Sequence, residues 1–368
     1  MNTQRRVLLV VIFMVLGICT YMLWNNLLSK PLQTIPEIRL GDGTNGPKGM
    51  AWIAGGEFVM GSDHQKSQAN EKPIHKVRVS GFWIDITHVT NDQFAQFIKE
   101  TNYKTTAEQI PDWETIRVQL PSGTPKPPAS IFVAGAMVFV GTKAKVSLND
   151  YSQWWAYAPG ASWRHPTGPQ SNIDGKSNHP VVQVSYEDAL AYAKWVGKRL
   201  PTEAEWEFAA RGGLNQATYV WGDQLEQEGK LPANIWDVKK KIFPVINPKA
   251  GGENGTSAVG AFPQNGYGLF DMTGNAWQWV ADWYHADYFA MQAKEFGQGV
   301  INNPQGPSSS YDPDDYGIPT NAPKRVIRGG SFLCNEDYCQ SYRPSARRGS
   351  DPFSPMSHLG FRLAKDSQ

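Results

Sequence analysis

Cysteine is almost missing from this chain, with three in 368 residues. That excludes a small disulfide-dense scaffold. An excess of charge of one sign is missing too, because 35 Lys and Arg stand against 34 Asp and Glu. No long-range field then recruits nucleic acid or a strongly acidic substrate, and no nucleic-acid partner is expected. There is no Walker loop, no dinucleotide glycine pattern, no HExxH and no GxSxG. Each of those absences removes a class of enzyme whose chemistry needs that local geometry. Internal repeats and low-complexity tracts are absent as well.

What is abundant is turn chemistry and large rings: 35 Gly, 26 Pro and 14 Trp. Such a chain reads as an α+β, loop-rich domain with a ring-filled core rather than a helical bundle. The one long apolar run is Val7 to Trp24, uncharged and preceded by Arg5 and Arg6. As a helix it spans roughly 27 Å, close to the hydrocarbon thickness of a bilayer. The positive flank predicts residues 1–6 in the cytoplasm, a transmembrane anchor over 7–24, and export of the rest, to the periplasm or cell surface. A cleaved signal peptide is the alternative. Residues 25–48 read as a polar linker, and 49–368 as one folded domain.

Within that domain, "MAWIAGGEFVMGS" predicts strand, turn, strand, and "HKVRVSGFWIDITHV" one or two strands more. Three helices have readable starts. Thr90 caps one with Gln93 three residues on, Ser185 caps the next, and Thr202 caps the third with Glu205 completing a capping box. Gly212-Gly213 ends the third. "ASIFVAGAMVFVG", inside a Pro-rich excursion, reads as a strand-like apolar pair. Asn234 to Gln278 is mostly turns, and Ala286 to Asn321 a long polar loop.

Cys334 and Cys339 are five positions apart in "GGSFLCNEDYC", and outside the apolar run they are the chain's only sulfhydryls. Two readings stay open. A disulfide closing so short a loop stabilises by only about 2 kcal/mol. Two thiolates facing one soft ion suit copper(I). A second candidate is "LFDMTGNAWQW", where Asp271 and Gln278 bracket a Gly-Asn turn rich in the oxygen ligands calcium prefers. "ANIWD" and "GGENGT" are weaker versions of the same pattern. Arg343, Arg347 and Arg348 follow the cysteines, either as surface charge or as cations framing a docking site beside reactive sulfur. His165 and His179 read as core hydrogen-bonders.

The ordered series "GGEFVMGS", "ASWRHPTGP", "HPVVQVSYEDALAYAKWVGKRLPTEAEWEFAARGGL", "ANIW", "AFPQNGYGLFDMTGNAWQW" and "RVIRGGSFLCNEDYCQSYRPSARRG…SHLGFR" resembles the formylglycine-generating enzymes, also called sulfatase-modifying factors. The resemblance implies a single compact domain related to the C-type lectin fold. It implies oxidation by O₂, with a thiol reductant, of a cysteine in an unfolded sulfatase C-x-P-x-R segment to Cα-formylglycine. It places Cu(I) on Cys334 and Cys339, with the substrate thiolate as a third sulfur ligand. Ser331, Tyr338, Arg347 and Trp277 fall on the family's other active-site positions. Structural Ca²⁺ is implied at Asp271, Gly274, Ala276 and Gln278, and at Asn234, Ile235 and a loop offering Gly251 and Glu253. Two departures stand out: Gln278 where the family usually has Glu, and His358 where the animal enzymes have Asn. Relatives that oxidise another substrate in a maturation pathway, or that keep the fold as a non-catalytic scaffold with a plain disulfide, are the alternatives.

Overall fold

The computed structural model describes residues 37–246 and 255–367. The expected membrane segment at 7–24 lies outside them. Among the described residues no helix is long and apolar enough to cross a membrane.

The fold begins earlier than the expected boundary at Gly49. Strand β1 (Arg39–Leu40) already pairs with β2 (Met50–Ile53), so part of the stretch read as linker belongs to the sheet. β3 (Gly56–Met60) follows after the Gly55-Gly56 turn, as expected, but the two strands do not pair with each other. β3 joins β4 (His75–Val79), whereas β2 joins β5 (Phe82–Asp85). Helix α1 (Asn91–Thr101) is capped by a Thr90–Gln93 box, a contribution of about 1 kcal/mol. The excursion contains a short helix α2 (Trp113–Arg117) and a hairpin of β6 (Gly135–Phe139) with β7 (Trp155–Pro159). The "ASIF" part of the expected apolar pair is therefore a 3₁₀ turn at Ala129–Ile131, and the partner of β6 comes from downstream.

Helices α3 (Tyr186–Trp195) and α4 (Glu203–Arg211) carry the capping boxes of Ser185 and Thr202, and α4 stops at Gly212 in the left-handed region. β8 (Trp277–Trp283) closes the long run of turns. The expected polar loop after Ala286 is instead opened by helix α5 (Tyr288–Phe296) and β9 (Val300–Asn302). No side chain caps α5, and only Phe289 and Gln292 are buried on it, so it leaves no start signal and little apolar period. The chain ends with β10 (Arg325–Arg328), β11 (Arg347–Ser350), β12 (Leu359–Phe361) and β13 (Ala364–Asp366).

Three sheets and the β6–β7 hairpin result, with orders β1-β2-β5-β13, β11-β10-β8-β12 and β3-β4-β9. The second positions the site. β8 takes β10 antiparallel on one side and β12 parallel on the other. The cysteine segment is the connection between β10 and β11. Its core packs Phe94, Trp163, Trp279 and Phe361, all fully buried, against α3. Each such ring contributes roughly 2–3 kcal/mol by burial.

Candidate active site

The connection after Arg328 has to turn at once, and two glycines allow it. Gly329 and Gly330 sit at φ +92° and +69°, where a Cβ is strained. A Cβ on Gly330 would also lie 3.1 Å from the Cys334 sulfur. Beyond them the loop is templated by one side chain that the sequence did not single out. Asn335 is buried, and its Oδ1 accepts the N–H groups of Asp337 and Tyr338, both at 2.9 Å. Its own N–H donates to the Cys339 carbonyl at 2.9 Å. Trp236 N–H holds the Cys334 carbonyl at 2.9 Å. This asparagine turn brings Cys334 and Cys339 together, with Cα atoms 4.5 Å apart and the sulfurs joined in a disulfide. Both residues are buried.

They line a half-open cleft of about 400 Å³. Trp277, Ser331 and Tyr338 line it too, so the structure gathers five of the six expected active-site positions. The Tyr338 ring is stacked on Phe243 with centroids 5.1 Å apart. Polar side chains also enter from outside the cysteine loop: Tyr151, Arg348, Ser350 and His358. No carboxylate lines the cleft. Among the described residues no cluster of three His, Cys, Asp or Glu could hold a metal ion. That donor set is wrong for zinc or calcium. Two soft sulfurs without hard ligands fit Cu(I) once the pair is reduced. A larger opening of about 760 Å³ beside Trp52 and Trp83 offers neither sulfur nor imidazole.

Arg347 is not in this cleft. It is fully buried, and its guanidinium grips both Glu203 oxygens at 2.6 and 2.8 Å. Arg343 is likewise taken, by Glu71 at 2.6 Å through two nitrogens. The cleft receives Arg348 instead. Side chains alternate faces along β11, so neighbours point opposite ways. His165 and His179, half-buried rather than in the core, hydrogen-bond internally, to the Ser171 carbonyl and the Thr256 hydroxyl.

The turn at Asp271–Gln278 also reads differently in three dimensions. Gln278 Oε1 accepts from Trp206 Nε1 at 2.8 Å and from Arg362 Nε at 2.7 Å. The Ala276 carbonyl is engaged by His88 Nε2 at 2.8 Å, and one Asp271 oxygen by the Gly260 N–H at 2.8 Å. Gln278 Oε1 thus already has two donors, one of them the buried Arg362 guanidinium. Gly274 lies on the same turn. At the other expected site, Asn234 donates through Nδ2 to the Gly255 carbonyl at 3.0 Å. Its partners Gly251 and Glu253 lie outside the described residues. Gln278→Ala should cost about 3 kcal/mol, because it strands several buried partners. The loss of Tm should be the same with and without chelator. A loss that disappears once calcium is stripped would assign the turn to calcium.

His88 makes this region acid-sensitive. Burial, reinforced by the Arg362 charge, pushes its pKa down to about 3. The unfolded chain takes up a proton near pH 6.5, whereas folded His88 refuses it until about pH 3. Stability is therefore unaffected above that window and falls as pH drops through it, by up to about 1.4 kcal/mol per pH unit. His88→Asn should flatten the acid limb of a Tm-against-pH curve. Identical slopes for the two proteins would refute the assignment.

The chain matches the family model of the sulfatase-modifying factor enzyme 1-like domain over residues 41–367. It is 43% identical over 321 residues to a formylglycine-generating enzyme of Thermomonospora curvata, covering 87% of this chain and 94% of that protein. It is also 34% identical to an inactive Cα-formylglycine-generating enzyme 2 of Mus musculus, covering 91% of each. Among solved structures, PvdO from Pseudomonas aeruginosa superposes with a TM-score of 0.52 at 22% identity, over 86% of this chain and 94% of that one. That likeness concerns the fold alone.

Proposed function

The chain belongs to the formylglycine-generating enzyme family, and from that premise we propose that it is an active oxidase. It converts a cysteine in an unfolded sulfatase segment, C-x-P-x-R, to formylglycine. The observation that carries this reading is the convergence of Cys334, Cys339, Ser331, Tyr338 and Trp277 on one cleft free of carboxylates. The overall chemistry balances with one O₂ and two reductant thiols. The substrate –CH₂SH becomes –CHO, its sulfur leaves as sulfide, one oxygen becomes water, and the reductant becomes a disulfide. Cys334 and Cys339 would hold Cu(I), which when bound supplies a soft, redox-active centre for thiolate and O₂.

The chain's own residues do the rest. The Asn335 turn fixes the sulfur pair before substrate arrives, so no ordering is needed on binding. Trp277 and the Tyr338–Phe243 stack wall the cleft with rings. Arg348, anchored to Ser341 Oγ at 3.2 Å, brings the cleft a cation for the peptide. A second reading has the disulfide behind it: a non-catalytic scaffold, like the inactive relative. The two are separated by one experiment. A C-x-P-x-R peptide, incubated with reduced, copper-loaded protein, O₂ and a thiol, should lose its cysteine sulfur and gain an aldehyde by mass spectrometry. No conversion across several such peptides would favour the scaffold.

A further inference from the structure

The proposed reaction gives no task to the His358 imidazole, which also lines the cleft. The residue is half-buried and its placement is fixed from three sides. Its carbonyl accepts the Trp277 N–H at 2.8 Å. Its ring meets Trp155 edge to face, with centroids 4.7 Å apart. Its Nδ1 lies 3.1 Å from Ser331 Oγ. Nε2 has no hydrogen-bond partner among the described residues, and the side chain lines the cleft.

The tautomer follows from where the Ser331 proton can go. Ser331 is fully buried, and its Oγ already accepts the Leu333 N–H at 3.2 Å. A buried hydroxyl proton needs an acceptor inside the protein. His358 Nδ1 is the acceptor within reach. A ring whose Nδ1 accepts carries its proton on Nε2. Burial holds the ring neutral by pushing its pKa down to about 3. The Ser331 hydroxyl thus converts an ambiguous imidazole into an N–H donor of fixed direction.

We propose that His358, oriented by Ser331, donates its Nε2–H to a backbone carbonyl oxygen of the peptide bound in the cleft. The peptide as ligand rests on the oxidase reading above. A carbonyl is the acceptor that every residue of an extended peptide offers, whatever its side chains. The donor is already in place when the peptide arrives, which is the condition for it to position the cysteine rather than merely follow it. His358 is then a substrate-binding residue, and Ser331 acts on the peptide through it.

Two measurements test this. Nitrogen-15 NMR of histidine-labelled protein should show His358 as the neutral Nε2–H tautomer at pH 7. The Nδ1–H tautomer or an imidazolium would overturn the proposal. Binding is read with a peptide carrying serine in place of the reactive cysteine, so that copper and turnover do not enter. His358→Phe should weaken its Kd by ~10-fold, the worth of one hydrogen bond, and His358→Asn, which keeps an N–H donor, should recover most of the loss. With the cysteine peptide, His358→Phe should raise KM more than it lowers kcat. Equal Kd for wild type and His358→Phe overturns the donor role and leaves the oxidase reading standing. Failure of the wild type to bind or convert any peptide overturns both.

Discussion

Cys334→Ser and Cys339→Ser are each expected to lower turnover of a C-x-P-x-R peptide by well over 100-fold. The magnitude follows from the ligand set. Even a group that only supports a metal ligand is worth about 10–100-fold in affinity or activity, and here one of two protein ligands would go. Serine keeps the shape of cysteine but offers a hard, weakly acidic oxygen that a soft ion does not favour. The loop should survive the change. Asn335, Trp236 and the two glycines hold its backbone without help from the sulfurs, so far-ultraviolet circular dichroism and Tm should move little in reduced protein. Cu(I) stoichiometry, measured by competition with a chromophoric chelator, should fall from one to zero in the double variant. Cys19→Ser, in the apolar N-terminal run, should change neither quantity. Unchanged copper binding in the double variant would place the metal elsewhere and remove the basis of the proposed chemistry.

Glu203→Ala should produce the largest loss of stability. Arg328 and Arg347 are directly opposite each other where β10 pairs with β11. Both guanidiniums are fully buried, and Glu203 Oε1 receives both, at 2.9 and 2.6 Å. Arg328 also reaches Glu207 at 2.6 Å, which Arg211 shares. Removing Glu203 leaves like charges facing each other in the interior, a loss of about 3–5 kcal/mol when a buried pair is broken on one side. Asp282 can recover part of it. Its pKa is raised to about 8 by burial and then by the Glu203 charge, so without Glu203 it ionises more readily beside Arg347. A Tm lower by on the order of 10 °C is expected. Activity should fall with it, because these strands carry both ends of the cysteine loop. Adding Arg347→Met to Glu203→Ala should restore part of the stability, since the unpaired charge goes with it. If Glu203→Ala alone melts like wild type, the network does not brace the loop.

Local signals were legible because neighbours in sequence make them. The helix starts at Thr90, Ser185 and Thr202 and the stop at Gly212 each depend on a side chain or a glycine within four residues of its partner. The cysteine pair was legible for the same reason, and the ordered motifs around it were enough to suggest the family. Helix α5 was missed because it has no side-chain cap and buries little. Where strands pair was hidden as well. Gly55-Gly56 marks a turn between β2 and β3, but which sheet each joins is settled by strands arriving from elsewhere.

The sequence by itself determined that Ser331, Cys334, Tyr338 and Cys339 share one short loop, because they fall within nine consecutive residues of backbone. Only the tertiary structure decided which arginine faces the cleft. Arg347 and Arg348 are adjacent, strand geometry sends them to opposite faces, and the buried Glu203 on α4 claims the first. It likewise decided that Gln278 meets Arg362 and Trp206, and that His358 meets Ser331. In each case the partner is distant in the chain, and a charge or hydrogen-bonding group acquires its role only when folding shuts out water and leaves one partner within reach.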